Sequence, residues 1–191
     1  MPTPSASGST DSPSPSPSPS RATGTPDRER SDLLQTLAKH RGLLRRTVRG
    51  LSDEEARSCP TASQLCLGGI IRHVSLTESS WMTFIEVGPG AMKPADENSY
   101  RDHAAGFRMD EDQTLDGLLD RYAEVARRTD ALVASLPSLD ADHPLPVAPW
   151  FEPGARWSAR RVLLHLIAET SQHAGHADII RESIDGAKTM G

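Results

Sequence analysis

The sequence predicts an all-α protein whose folded part is a four-helix bundle. Four segments carry apolar residues at the spacing of one helix face. They span 31–49, 63–87, 114–136 and 156–182. Capping or helix-ending residues flank them, as Ser158 does before the last segment and Gly186 after it. Helices that are apolar on one face bury those faces together by forming a bundle. The connections differ in length, so simple up-down wiring is not dictated.

The first half of the chain carries clear helix boundaries. The first helix is expected to begin near Ser31 and to end at Gly50, and a short capped turn of helix follows at Ser52. Inside the second helix, Gly68 and Gly69 each weaken helix formation by roughly 1 kcal/mol. A close approach of another stretch of backbone would explain why two glycines occur there.

The second half contains two long connections. A polar stretch from 91 to 113 is rich in turn-forming residues and predicts a long irregular loop. Loops of this length often border a functional site. The proline-rich stretch 140–153 predicts an extended crossover, with a short strand or none, that leads into the last helix.

The composition divides the chain into a tail, a bundle and a short end. Residues 1–28 consist mainly of Pro, Ser, Thr and Gly, which cannot bury enough apolar area to offset their ordering entropy. We therefore expect a disordered, low-complexity N-terminal tail. Residues 29–186 form the helical bundle, and residues 187–191 are expected to fray.

Charge and composition exclude several classes of function. The net charge is −5, no basic block is present and aromatic residues make up 4% of the chain, so no nucleic-acid partner is expected. No apolar run has membrane-spanning length, and the N-terminus lacks the layout of a secretion signal. We expect a cytoplasmic protein that does not enter a membrane. Cys59 and Cys66 lack zinc-site spacing and are interpreted as inert small hydrophobic residues.

Four polar residues share one face of the last helix. At about 100° per residue, His165, His173 and His176 fall within about 40° of Glu169. Apolar residues such as Leu166 overlap this face, so it points toward the core. A buried carboxylate and three buried imidazoles are costly unless hydrogen bonds or a metal ion compensate them.

His73, at the edge of a buried stripe of the second helix, adds a candidate ligand from another helix. Together, His73, Glu169 and His173 offer two imidazoles and a carboxylate, which suit Zn²⁺, Ni²⁺ or Fe²⁺. Three protein ligands leave a position for water or substrate, as in catalytic metal sites. Spacing alone leaves alternatives open. His165 pairs with Glu169 equally well, and His73 could be a core histidine in a protein that binds no metal.

The two helices that carry these residues resemble a known family. The sequence ETSQHAGHAD, which begins at Glu169, is similar to the last helix of the DinB-like metalloprotein superfamily, and LGGIIRHV, within 65–81, is similar to its second helix. The resemblance covers about 32–186. It is closest to the actinobacterial branch related to the mycothiol-dependent maleylpyruvate isomerase.

That resemblance implies a metal site in a four-helix bundle. A histidine of the second helix and a pair four residues apart on the last helix bind a divalent metal in this superfamily. By position, these ligands are His73, Glu169 and His173. His165 and His176 are then pocket-lining groups, and either is a candidate general acid or base.

The resemblance also implies a function. Enzymes of this branch use a low-molecular-weight thiol, mycothiol in actinobacteria, and metal coordination makes a thiol a thiolate at neutral pH. We expect an S-transferase or isomerase-type enzyme that acts on a small electrophile. No segment resembles the isomerase's second domain, so maleylpyruvate isomerisation itself is not expected. A homodimer is consistent with the resemblance.

Two further functions stay open at this level. A hydrolase that uses metal-activated water needs the same three ligands. A non-catalytic, metal-binding stress-response bundle would show an exposed apolar patch in place of a pocket. Several other residues are expected to have packing or solvated roles. They are Trp81 and Trp157 in packing, and Arg72, Arg160, Arg161 and Arg181 at solvated helix positions.

Overall fold

The computed structural model describes residues 28–92 and 105–189 and confirms the four-helix bundle. Its long helices are α1 (Arg28–Thr47), α3 (Leu67–Val87), α4 (Leu115–Ser135) and α5 (Ala159–Asp185), and α2 (Asp53–Arg57) is a short helix. A 3₁₀ turn, Pro89–Ala91, follows α3. The strands β1 (Asp142–Pro144) and β2 (Arg156–Ser158) pair antiparallel, with His143 opposite Trp157. None of the helices within the described ranges is long and apolar enough to cross a membrane.

The helix ends are set by capping residues, most of which can be predicted from the sequence. The Ser158 hydroxyl accepts from the Arg161 amide at 3.2 Å and caps α5. Gly186 ends that helix in the left-handed conformation, with a φ of 77°, which glycine adopts without steric cost. The second long helix begins later than predicted, because the Cys66 sulfur accepts from the Gly69 amide and acts as its N-cap. Cys66 is therefore a buried capping residue and not only a small hydrophobic one.

Parts of three predictions lie outside the described residues. Residues 1–27 of the predicted disordered tail, 1–28, and residues 93–104 of the predicted loop, 91–113, lie outside the described residues, and Arg28 is the first residue of α1. At the C-terminus, the Thr189 amide donates to the Asp178 carboxylate at 2.8 Å, so described residues beyond α5 fold back on it. The expected fraying of 187–191 stays a prediction.

A layer of buried polar residues crosses the bundle between two hydrophobic clusters. Along α3, one cluster includes Ile70 and the other includes Trp81; along α5, Ala177 and Val162 are their counterparts. On each long helix, the buried polar residues lie between residues of one cluster and residues of the other. We call this set the polar layer, and its buried members are Arg41, His73, Ser75, Glu78, Thr129, Thr170 and His173.

One part of the polar layer is an ion pair between Arg41 of α1 and Glu78 of α3. Glu78 is 0% exposed and Arg41 is 5% exposed. The Arg41 guanidinium donates to both Glu78 oxygens and also to Asp130 Oδ1 at 3.0 Å. The Thr129 hydroxyl donates to Glu78 Oε1 at 2.6 Å. This carboxylate is therefore matched by a full positive charge and a hydroxyl, which is what burial of a charge requires.

The segment 105–110 packs closely on the beginning of α3. A Cβ built on Gly69 would lie 1.8 Å from the Phe107 carbonyl oxygen, and one on Gly68 would lie 2.3 Å from the Met109 sulfur. Only glycine leaves room for this contact. The expected close approach of another backbone is confirmed at Gly69, whereas Gly68 faces the Met109 side chain.

Replacing Arg41 by Ala should destabilise the fold strongly, since it leaves the Glu78 carboxylate buried without its cation. We expect a loss of about 3–5 kcal/mol in the free energy of unfolding, measured by urea denaturation. Arg127→Ala is the control, because Arg127 pairs with Glu124 on the exposed face of α4. Its loss should stay within about 0.5 kcal/mol. Equal losses in both variants would contradict a structural role for the buried pair.

Replacing Gly69 by Ala should separate the segment 105–110 from α3. We expect a loss of about 1–3 kcal/mol in stability, together with faster amide hydrogen exchange in that segment. Gly175→Ala is the matched control within α5, where an added Cβ meets nothing within 4 Å. That change should stabilise the protein by up to about 1 kcal/mol. Stabilisation by both changes would show that the close contact is absent in solution.

Candidate metal centre

Two helices bring three side chains together at one point in the polar layer. His73 lies on α3, and Glu169 and His173 lie one turn apart on α5. The Nε2 atom of His73 is 3.1 Å from Glu169 Oε1, and the Nε2 atom of His173 is 3.3 Å from the same oxygen. One ligand atom from each residue lies within 4.8 Å of the others. The structure thus assembles the three residues that the sequence analysis singled out.

Burial and hydrogen bonding set the charge of this cluster. His73 is 5% exposed and His173 is 8% exposed, while Glu169 is half-buried. Hydrogen bonds from His173, and then from His73, hold the pKa of the Glu169 carboxyl well below its usual range, although burial acts in the opposite direction. Glu169 is therefore a carboxylate at neutral pH. An ionised carboxylate only accepts hydrogen bonds, so without a metal both imidazoles present an Nε2–H to it.

The donor set fits a divalent metal ion. Zinc bonds of about 2.0–2.2 Å in a tetrahedral site place neighbouring ligand atoms about 3.3–3.6 Å apart. The distances of 3.1 and 3.3 Å from the two Nε2 atoms to Glu169 Oε1 are close to that spacing. Glu169 also differs from Glu78 in the same layer, because its close partners are imidazoles, which carry no fixed charge, and not a guanidinium. A cation at this point would supply the missing compensation.

The surroundings of the cluster include a ring that the sequence did not indicate. Phe107, from the segment that contacts Gly69, stacks on His73 with ring centroids 3.8 Å apart and planes 18° apart. Thr77 places its hydroxyl oxygen 3.5 Å from His73 Nε2. The only sequence signal for Phe107 was indirect. The glycine pair predicted a close contact with another stretch of backbone but did not identify that stretch. Thr77 carried no signal beyond its place on a buried stripe.

His176 adjoins the cluster from the next turn of α5. Its ring centroid is 5.5 Å from that of His173. The Nδ1 atoms of both histidines are buried and find no hydrogen-bond partner among residues 28–92 and 105–189. His176 is therefore a neighbour of the three residues, with an imidazole nitrogen left for another group.

His165 lies apart from the cluster, although it is one turn from Glu169. Its ring packs edge-on against Trp81 and Trp157, at centroid distances of 5.1 and 5.2 Å. The two tryptophans stack on each other at 4.7 Å, which agrees with their predicted packing role. Burial lowers the pKa of His165, although the Glu169 carboxylate acts in the opposite direction, and the Arg161 charge lowers it further. Of the two pairings left open by spacing, the structure places His173 and not His165 within the Glu169 cluster.

Three of the four arginines expected at solvated positions are in fact tied to neighbouring elements. Arg72 donates to the carbonyl oxygens of Ala105 and Arg108. Arg160 pairs with Glu29 and Asp140. Arg181 donates to backbone oxygens just after α1 and at its end. Helical periodicity locates these positions at a surface but does not reveal which loop covers that surface. The fourth, Arg161, is exposed and lies 4.9 Å over the Trp157 ring.

The four-helix bundle, with a histidine and glutamate cluster between α3 and α5, agrees with the resemblance to the DinB-like superfamily. The family model described as mycothiol-S-transferase matches residues 32–186. The chain belongs to that family.

Two solved structures share the fold. A conserved protein from Enterococcus faecalis superposes with a TM-score of 0.60 at 14% identity, covering 82% of this chain and 97% of that one. YfiT from Bacillus subtilis, described as a probable metal-dependent hydrolase with an unusual four-helix bundle topology, also gives a TM-score of 0.60, at 15% identity, covering 86% and 90%. No curated protein sequence matches the chain.

His165 should make the stability of the metal-free protein depend on pH. Its pKa is lowered in the folded state from the ordinary 6.5. The unfolded chain therefore binds more protons below that value, so stability is complete above it and falls as the pH drops through it. His165→Phe keeps a ring in the aromatic packing and should remove this step. Unfolding free energies between about pH 5 and pH 8, with chelator present, test this. An unchanged slope in the variant would contradict it.

Proposed function

We propose that this protein is a divalent-metal-dependent thiol S-transferase, with mycothiol as the thiol and a small electrophile as its second substrate. The observation that carries the proposal is the convergence of His73, Glu169 and His173 in a member of the mycothiol-S-transferase family. We take these three residues as the metal ligands. Zinc is our first choice of metal, and nickel or iron are the alternatives.

The proposed reaction joins the thiol sulfur to an electrophilic carbon. The thiol loses its proton, and the resulting thiolate attacks the carbon. In a substitution, the leaving group departs with the electrons of its bond to that carbon. In an addition to a double bond, the neighbouring carbon takes up a proton. A bound divalent metal would supply the positive charge that keeps the thiol ionised at neutral pH.

The protein's own groups prepare this step. The Glu169 carboxylate and the two imidazole Nε2 atoms place three candidate ligand atoms close together. The burial of His73 and His173 limits the access of water to them. Low solvent access strengthens each electrostatic interaction in the site. We propose His176 ahead of His165 as the proton acceptor, because it adjoins His173 whereas His165 packs edge-on against two tryptophans.

A hydrolase is the second candidate function. The B. subtilis neighbour is described as a probable metal-dependent hydrolase, and the same three residues could hold a metal that activates water. The two functions differ in one requirement. The transferase needs a thiol for turnover, whereas the hydrolase needs only water.

We further propose that the enzyme works in the cytoplasm, where a reduced thiol is available. Both cysteines are free in the structure, which is compatible with that location. The homodimer suggested by the resemblance stays a prediction.

Metal content should depend on all three proposed ligands. We expect near-stoichiometric metal in protein purified without a histidine tag, and its loss in His73→Ala, Glu169→Gln and His173→Ala, measured by elemental analysis after dialysis. His40→Ala is the matched control, since His40 lies on α1 outside the cluster, and it should retain the metal. A parent protein without metal after loading with Zn²⁺ or Ni²⁺ would leave the histidines as structural polar groups and overturn the proposal.

Turnover of electrophiles separates the two candidate functions. The metal-loaded protein would be incubated with activated aryl halides, epoxides and esters, with and without mycothiol. Thioether formation that requires the thiol, and that is absent from Glu169→Gln, supports the transferase. Ester cleavage that proceeds equally without thiol supports the hydrolase instead.

A further inference from the structure

We infer that Phe107 is a positioning residue that fixes the imidazole plane of His73, and that Arg72 holds Phe107 in place. This inference rests on the proposed function, because the orientation of His73 matters most if its Nε2 atom binds a metal. The site would then depend on a third segment, 105–110, in addition to the two helices that supply its ligands.

The first observation is the geometry of the two rings. Phe107 lies nearly parallel to His73, with centroids 3.8 Å apart. It also approaches His173, at a centroid distance of 5.4 Å and an angle of 50°. An imidazole coordinates through a lone pair in its ring plane, so rotation about its last side-chain torsion moves that lone pair off the metal. That torsion is broad for histidine, and a stacked ring restricts it.

The second observation is that Arg72 donates hydrogen bonds to the backbone on both sides of Phe107. Its guanidinium donates to the Ala105 carbonyl at 2.8 Å and to the Arg108 carbonyl at 3.1 Å, and it pairs with Asp110 at 3.4 Å. Arg72 directly precedes His73 on α3. The segment is therefore anchored to the same helix turn that carries the ligand.

The third observation is the absence of space between the segment and α3. The Phe107 carbonyl lies where a Cβ of residue 69 would be, and the Cys66 sulfur is 3.8 Å from the same oxygen. The backbone of Phe107 is thus in close contact with α3, and the two Arg72 hydrogen bonds hold the residues on either side of it. Both features keep the ring at one height above His73.

Cobalt binding tests the inference in the full-length protein, because the visible Co²⁺ spectrum reports ligand geometry. Phe107→Leu keeps apolar bulk but removes the ring, and should weaken Co²⁺ binding about tenfold and change the spectrum. Phe107→Tyr restores a ring and should restore both. Arg72→Gln leaves Phe107 in the chain but frees its segment, and should weaken binding in the same direction.

Two controls separate positioning from loss of stability. Phe84→Leu removes a fully buried ring from the same helix, among residues of the other hydrophobic cluster. It should lower stability while leaving the Co²⁺ spectrum unchanged. Arg121→Gln removes an exposed arginine of α4 and should change neither. Unchanged Co²⁺ affinity and spectrum in Phe107→Leu would overturn the inference.

A readout without metal keeps the two proposals distinguishable. In the chelator-treated protein, the carbon-bound ring protons of His73 should resonate upfield because Phe107 stacks on them, and Phe107→Leu should abolish that shift in the NMR spectrum. If the parent binds no metal, the proposed function fails, and this shift alone decides whether Phe107 orients His73. The same His73 shift in parent and Phe107→Leu would contradict the inference whatever the metal content.

Discussion

The pairing of the half-buried Glu169 carboxylate with two imidazoles is the interaction around which the other parts of the site are arranged. A carboxylate in the middle of a helical bundle needs partners, and His73 and His173 both present Nε2 to the same oxygen. Because His73 comes from α3 and Glu169 and His173 come from α5, this interaction joins the two helices. Phe107 and Thr77 then pack around the histidine that α3 contributes.

The polar layer contains two carboxylates with different surroundings. Glu78 receives a guanidinium and a hydroxyl, and its charge is matched within the protein. Glu169 receives two imidazoles, which both donate to its Oε1 atom but bring no fixed charge. The same bundle thus contains a fully buried carboxylate that a guanidinium of the protein neutralises and a half-buried one in a form suited to a bound cation. This contrast, together with the family, makes a metal the natural complement of the second carboxylate.

Much of this arrangement was predictable because it depends on local patterns. Ser158 and Gly186 mark the ends of α5 through capping chemistry that acts within one helical turn. Glu169 and His173 share a face because a turn of helix separates them. Periodicity made His73 a candidate ligand, but its selection depended on resemblance, since periodicity does not say which helix its buried stripe meets. Phe107 was not predictable, because nothing in an irregular loop states where its side chains will pack.

The sequence by itself determined the helices, their buried faces and the presence of costly polar groups on those faces. These properties follow from spacing, capping and burial, which act over short distances along the chain. Only the tertiary structure decided which groups meet: His173 and not His165 joins His73 at Glu169, and Arg72 donates hydrogen bonds to the segment 105–110. The reason is that such contacts join residues far apart in sequence, such as His73 and Glu169. Their geometry depends on how helices cross and loops dock, which no local pattern encodes.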